Sequence, residues 1–269
     1  MDRSEAIRMV SELQNLHDIT GQLLNEFGLE PFSGSMASLE LRDFQRPKSV
    51  KTVYAQGSLL IEVAADHVIE FTKTVTEPVQ TIAPYTCVRA VVEASAIASW
   101  LLDPSIDMKT RVSRSFAFQY EGLIQQAKYG QSLGLDSDAN KVQVRIDEME
   151  KISLGIGFPR VLNEKGKRIG IAQKMPSITE IVNSELGEES TFRLLSAIVH
   201  AHHWALVQLS FKKAQEEEPI IEKHLNPLSV SWLCFKVAKV FVRPVWYKCL
   251  LFGWDSGKLV ACLETSFKH

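Results

Sequence analysis

After Pro47 one helical pattern runs unbroken to about Thr76, as VKTVYAQGSLLIEVAADHVIEFTKTVT. Apolar residues return there at three- and four-residue spacing, and so long a run of that period narrows the fold more than any other feature. The same period returns along the chain. Residues 4–27 read as an amphipathic helix with Ile7, Val10, Leu13, Leu16 and Leu24 on its apolar stripe. FGLEPFSGS then interrupts it with Gly28, Pro31 and Gly34. YTCVRAVVEASAIASWLL reads as a further helix, stopped by DPS at 103–105, and two more follow over about 107–131 and 137–154.

The texture changes at GIGFPRVLNEKGKRIGIAQKMPS, residues 155–177, where glycines and prolines surround short apolar runs. VLNEKGKRIGI fits a small β-hairpin turning at Lys165–Gly166, or an irregular loop. Ser177 and Glu180 form a capping box that opens another helix. One continuous helix is predicted over about 189–213, then an acidic tip, EEEP, at 216–219. Asn226–Pro227 is an N-cap followed by proline in the first turn, opening a last helical segment. The expectation is an all-α, multi-helix bundle with one irregular insertion. It forms a single helical domain over 1–269, with a core at 47–213, an N-terminal helix in 1–30 and a C-terminal helical segment at 226–269.

Bulk properties exclude several function classes. Thirty basic and 32 acidic residues leave a net charge of −2, so no overall field recruits nucleic acid or an anionic membrane. Cys87, Cys234, Cys249 and Cys262 lie far apart without metal-knuckle spacing, which reads as reduced thiols in a cytoplasmic protein. The N-terminal stretch alternates charge with apolar residues and is expected to be neither a signal nor a transit peptide. WLCFKVAKVFVRPVWYKCLLFGW, residues 232–254, has the length of a membrane span. Lys236, Lys239, Arg243 and Lys248 interrupt it, each costing about 2.5–3.5 kcal/mol at mid-bilayer. No transmembrane segment is expected there. A basic helix of this kind meets RNA or a membrane surface, or is a core helix with a solvated stripe through Lys236, Lys239 and Arg243, the reading preferred here.

No phosphate-cradling glycine loop, H-E-x-x-H or G-x-S-x-G is present. His200 and His203 could reach one metal from a helix face but lack acidic or cysteine ligands within a turn, so neither metal nor cofactor is expected. The informative residues are polar ones on apolar faces. His67 falls between Val63 and Phe71 at core-facing spacing. Arg89 and Glu93 are four apart on a face that continues to Trp100, as an ion pair at partial burial would be. Arg193, Ser196 and His200 share one side of TFRLLSAIVHAHHWAL. Histidine can exchange a proton near neutral pH and arginine can clamp a phosphate, which together suffice for metal-free phosphodiester chemistry. The same residues also suit a buried polar network valued for specificity.

Taken in order, AADHVIEF, RAVVEASAIASWLLDP, a helix bearing Arg111 and Arg114, and FRLLSAIVHAHHWAL resemble a large group of all-helical bacterial proteins of no settled activity. That group carries R-A-x-x-E-A…W-L-L-D-P and a later Y-R-x-L-S-x-x-x-H, with Phe192 here in the tyrosine's place. A looser resemblance is to HEPN domains, helical bundles that include metal-independent ribonucleases with an Arg–x(4–6)–His motif completed across a homodimer. Arg193 and His200 match that spacing, although Leu194 stands where those nucleases usually carry a polar residue. This resemblance implies His200 as general acid/base and Arg193 as phosphate clamp, with Ser196 and Arg89 as supporting contacts, acting on RNA as a toxin or defence component. Two other readings stay open: a non-catalytic module for a partner protein or small-molecule ligand, and an enzyme with a small organic substrate. In both, His67, Arg89, Glu93 and His200 converge, with Trp100 and His203 as further candidate binding residues.

Overall fold

The computed structural model describes residues 3–28, 30–76, 79–213, 221–223 and 225–266. Helices α1 (Arg3–Phe27), α3 (Pro47–Thr74), α4 (Ala83–Leu102), α5 (Met108–Ser132) and α6 (Asp136–Ile156) occupy the predicted segments. So does α10 (Pro227–Phe252). The all-α bundle is therefore as expected. One short helix, α2 (Met36–Asp43), follows directly on the FGLEPFSGS break, in a stretch to which the sequence assigned no element, and Ser35 accepts from the Ser38 amide as its N-cap. A last helix, α11 (Gly257–Ser266), closes the described chain.

α4 is the axis of the bundle. It packs against α3, α5, α10, α7 (Ile178–Leu186) and α8 (Glu189–Val199). From Val91 to Leu102 every residue except Glu93 is buried, which explains its nearly uniform apolar composition. Among the described residues α4 alone is long and apolar enough to cross a membrane by length and composition, and 78% of its apolar window lies inside the bundle. Its closest neighbour is α3. At Gly57 a Cβ would come within 2.6 Å of Leu102, so the absence of a side chain sets how near the two helices run.

Of the two readings left open for the insertion, the hairpin is the one formed. β1 (Arg160–Leu162) pairs antiparallel with β2 (Arg168–Ile171), and Gly166 takes a left-handed conformation in the turn. The capping box at Ser177 and Glu180 opens α7.

The single helix expected over 189–213 is not formed. α8 stops at Val199, His200 caps it, α9 (His203–Ser210) starts after a corner, and β3 (Phe211–Lys213) pairs antiparallel with β4 (Ile221–Lys223). The corner has a local cause. Ala201 adopts φ +55°, while its amide donates to Ile198 O at 3.0 Å and the His202 amide to Ala197 O at 2.8 Å. These two bonds close a helix C-terminus of the kind that usually carries glycine at this position. The acidic tip at 216–219 lies outside the described residues.

Candidate functional site

The predicted polar residues are divided among separate environments. Arg89 and Glu93 form the expected pair one turn apart on α4, with Nη1 to Oε2 at 3.1 Å. Arg89 Nε also donates to Ser196 Oγ at 3.2 Å, and its guanidinium lies 5.2 Å from the centre of the Phe192 ring. Three partners thus occupy one guanidinium, and together they lock α8 onto α4. Both charged side chains are about one-third exposed, so the ion pair itself contributes only about 0.5–1 kcal/mol. Its main consequence is register.

Arg193 is turned outward. It pairs with Glu189 of its own helix at 2.8 Å, and about two-thirds of the side chain is exposed. The row Phe192, Ser196, His200 holds for its first two members only. Because α8 ends at Val199, His200 leaves the row and stands exposed, its ring 6.5 Å from that of His202. His203 and Trp204 are exposed as well, at the start of α9. His67 is half-buried and makes no hydrogen bond or ion pair with a described residue. His67, Arg89, Glu93 and His200 are therefore not joined into one network. Trp100 is buried in a different cluster, beneath the Arg114 guanidinium at 5.2 Å.

That second cluster belongs to α4, α5 and α7. Arg114 bonds to the Trp100 carbonyl and lies 3.7 Å from Glu185 and 3.9 Å from Asp103. Burial raises the Glu185 carboxyl above its ordinary range; Arg114 and Arg243 oppose this, and Asp103 adds to it. The basic stripe of α10 is a neighbouring feature and is not simply solvated. Lys236 and Lys239 each donate to the buried Glu188 carboxylate at 2.7 Å, and Thr191 Oγ1 donates to it at 2.6 Å. Burial alone would raise the Glu188 pKa; these three hydrogen bonds together bring it below the usual carboxylate value. The lysines thus serve as a seat for the start of α8, which corrects the solvated-stripe expectation.

Two clusters escaped the sequence reading. Arg111 is fully buried and donates to Glu40 of α2, to the Asp103 carbonyl at 2.7 Å and to the Ile106 carbonyl at 3.2 Å. Tyr54 donates to the other Glu40 oxygen, and burial followed by the Glu40 charge raises its pKa. Lys248 of α10 is 1% exposed. Its ammonium donates to Ser58 Oγ at 2.8 Å and lies over the Trp254 and Phe252 rings at 4.9 and 5.5 Å. Burial lowers its pKa from 10.5 to about 8, against the pull of Glu62. Ser58 and Tyr54 line a neighbouring cavity of about 200 Å³ with Phe252 and Lys51.

No group of three or more metal-ligating side chains occurs among the described residues. No family model, curated protein or solved structure matches the chain. Fold and site define a class: an all-α bundle whose predicted arginines are engaged by its own side chains and whose histidines at 200, 202 and 203 stand on an exposed corner.

Proposed function

We propose that the chain is a non-catalytic helical module whose α8–α9 corner meets a partner protein. The observation that carries this reading is the Arg89 guanidinium, spent on Glu93, Ser196 and Phe192, which couples the central helix to the element ending at the corner. Exposed Trp204 and the histidines beside it supply the surface, with an aromatic that can bury a large area in a contact. A double-mutant cycle tests the coupling. Glu93→Ala and Ser196→Ala are expected to cost about 1 kcal/mol each, and less than additively together, because both act on one guanidinium. His200→Ala should melt like the parent, since His200 is exposed. Independent, additive effects from the pair would remove the basis of this reading.

A second reading is favoured by one observation: Arg193 and His200 are both exposed, as a HEPN-like nuclease completed by a second copy would require. It expects chelator-resistant RNA cleavage by a homodimer, lost in His200→Ala with the fold intact. The module reading expects RNA to remain whole under the same conditions. Cleavage lost in His200→Ala would replace the first reading by the second.

A further inference from the structure

Between α3, α5 and α6 lies a cleft of about 430 Å³, within the range of about 300–1,000 Å³ usual for small-ligand sites. It lies apart from the α8–α9 corner and rests on none of the residues used above for function. Its floor is apolar, with Val112, Phe116, Leu123 and Met149 all buried. Ser115, 2% exposed, also lines it and is held by Gln56 at 2.6 Å and by Gln119 at 3.1 Å.

The mouth carries three cations, Arg46, Lys48 and Arg145, against one carboxylate, Glu148. Here Arg46 and Lys48 have no ion-pair partner among the described residues, and Arg145 bonds only to the neutral Gln126 carboxamide at 3.1 Å. Three cations against one carboxylate leave the lining of this mouth net positive. An apolar, aromatic-containing floor beneath a net-positive rim matches a molecule with a flat apolar body and an anionic head. A ring would lie against Phe116 and the Met149 thioether, both of which favour aromatic neighbours. The head would take charge-assisted hydrogen bonds from Arg46 and Lys48. With Glu148 set against the three cations the rim carries a net charge of about +2, which balances the roughly −2 of one phosphate monoester and not the larger charge of a polyphosphate.

We propose that this cleft is a binding site for an aromatic phosphate monoester, with Arg46, Lys48 and Arg145 holding the phosphate and Phe116 and Met149 the ring. Isothermal titration of the full chain with 4-nitrophenyl phosphate tests it, with inorganic phosphate and 4-nitrophenol as separate arms. The whole ester is expected to bind at least tenfold more tightly than either fragment. Arg46→Glu and Lys48→Glu, both exposed and so harmless to the fold, should each weaken it at least tenfold. Thr52→Trp, at a partly exposed position that lines the cleft, should fill it and block binding, with an unchanged melting temperature as control. Equal affinity for ester and inorganic phosphate overturns the proposal, as does ester binding indifferent to both charge reversals.

Discussion

Replacing Lys248 by methionine is expected to leave the protein at least as stable as the natural chain at pH 7, and the reason is quantitative. The ammonium is buried with one hydrogen bond, to Ser58, and two aromatic faces, and it makes no ion pair with a described carboxylate. A fall in pKa from 10.5 to about 8, at about 1.36 kcal/mol for each tenfold, costs the charged form on the order of 3 kcal/mol in the folded state. Methionine keeps the unbranched shape and removes that cost, giving up the Ser58 bond and the cation–π contacts in exchange. Ser58 still donates to the Tyr54 carbonyl at 2.8 Å, so its hydroxyl is not orphaned.

The sign of the pH dependence follows from linkage. Between pH 8 and about 10.5 the unfolded amine is still protonated while the folded one is not. The natural chain therefore gains stability as pH rises through that window, and the methionine variant lacks this gain. Urea unfolding of both proteins from pH 7 to 10.5 measures the difference, in which the titration of other groups cancels. We predict that the difference shifts by about 3 kcal/mol in favour of the natural chain across the window. A difference that stays flat with pH would refute the reasoning, since it would mean that Lys248 titrates as a solvated amine.

Three further outcomes follow from the same geometry. Arg111→Met should destabilise by about 3–5 kcal/mol, because it strands the Glu40 carboxylate with Tyr54 alone, and adding Glu40→Gln should recover part of the loss in chemical denaturation. Burial raises the Glu185 pKa, so the folded state holds that proton to higher pH than the unfolded state does, and stability is lost as pH rises through the interval. Glu185→Gln should remove this loss, seen as a smaller difference between urea midpoints at pH 4.5 and 7. Ala201→Gly should raise stability by about 0.5–1 kcal/mol by relieving the left-handed backbone at the corner, read as a higher melting temperature.

The helices of this chain were legible because their apolar periodicity is long and their ends are marked, as by Ser177 with Glu180 and by Asn226 with Pro227. The break at 200–202 was not, because the left-handed position is held by alanine, and neither glycine nor proline punctuates the segment. Arg89 and Glu93 were placed correctly relative to each other, since one turn of one helix fixes them. Whether His200 joined them depended on where another helix stopped, and periodicity does not carry that information. Lys248 did leave a trace. Val245 and Phe252, three before and four after it, place it on the buried face of α10, away from the stripe of Lys236, Lys239 and Arg243. Glu40 was missed because no element was assigned between the FGLEPFSGS break and Pro47, although Ser35 is of the residue type that caps helices and does so here.

The buried thiols have a practical consequence. Cys87 sits on α4, Cys234 and Cys249 on α10, and Cys262 on α11, and none of the four is in a disulfide. Burial pushes Cys234 up to about 12 and Cys249 up to about 11, so the reactive thiolate is nearly absent from the folded state at neutral pH. Labelling by a thiol reagent must then wait for the protein to open. The chain carries its own clocks: Cys262, on the peripheral last helix, times local fraying, and Cys234, deep on α10, times the opening of the bundle itself.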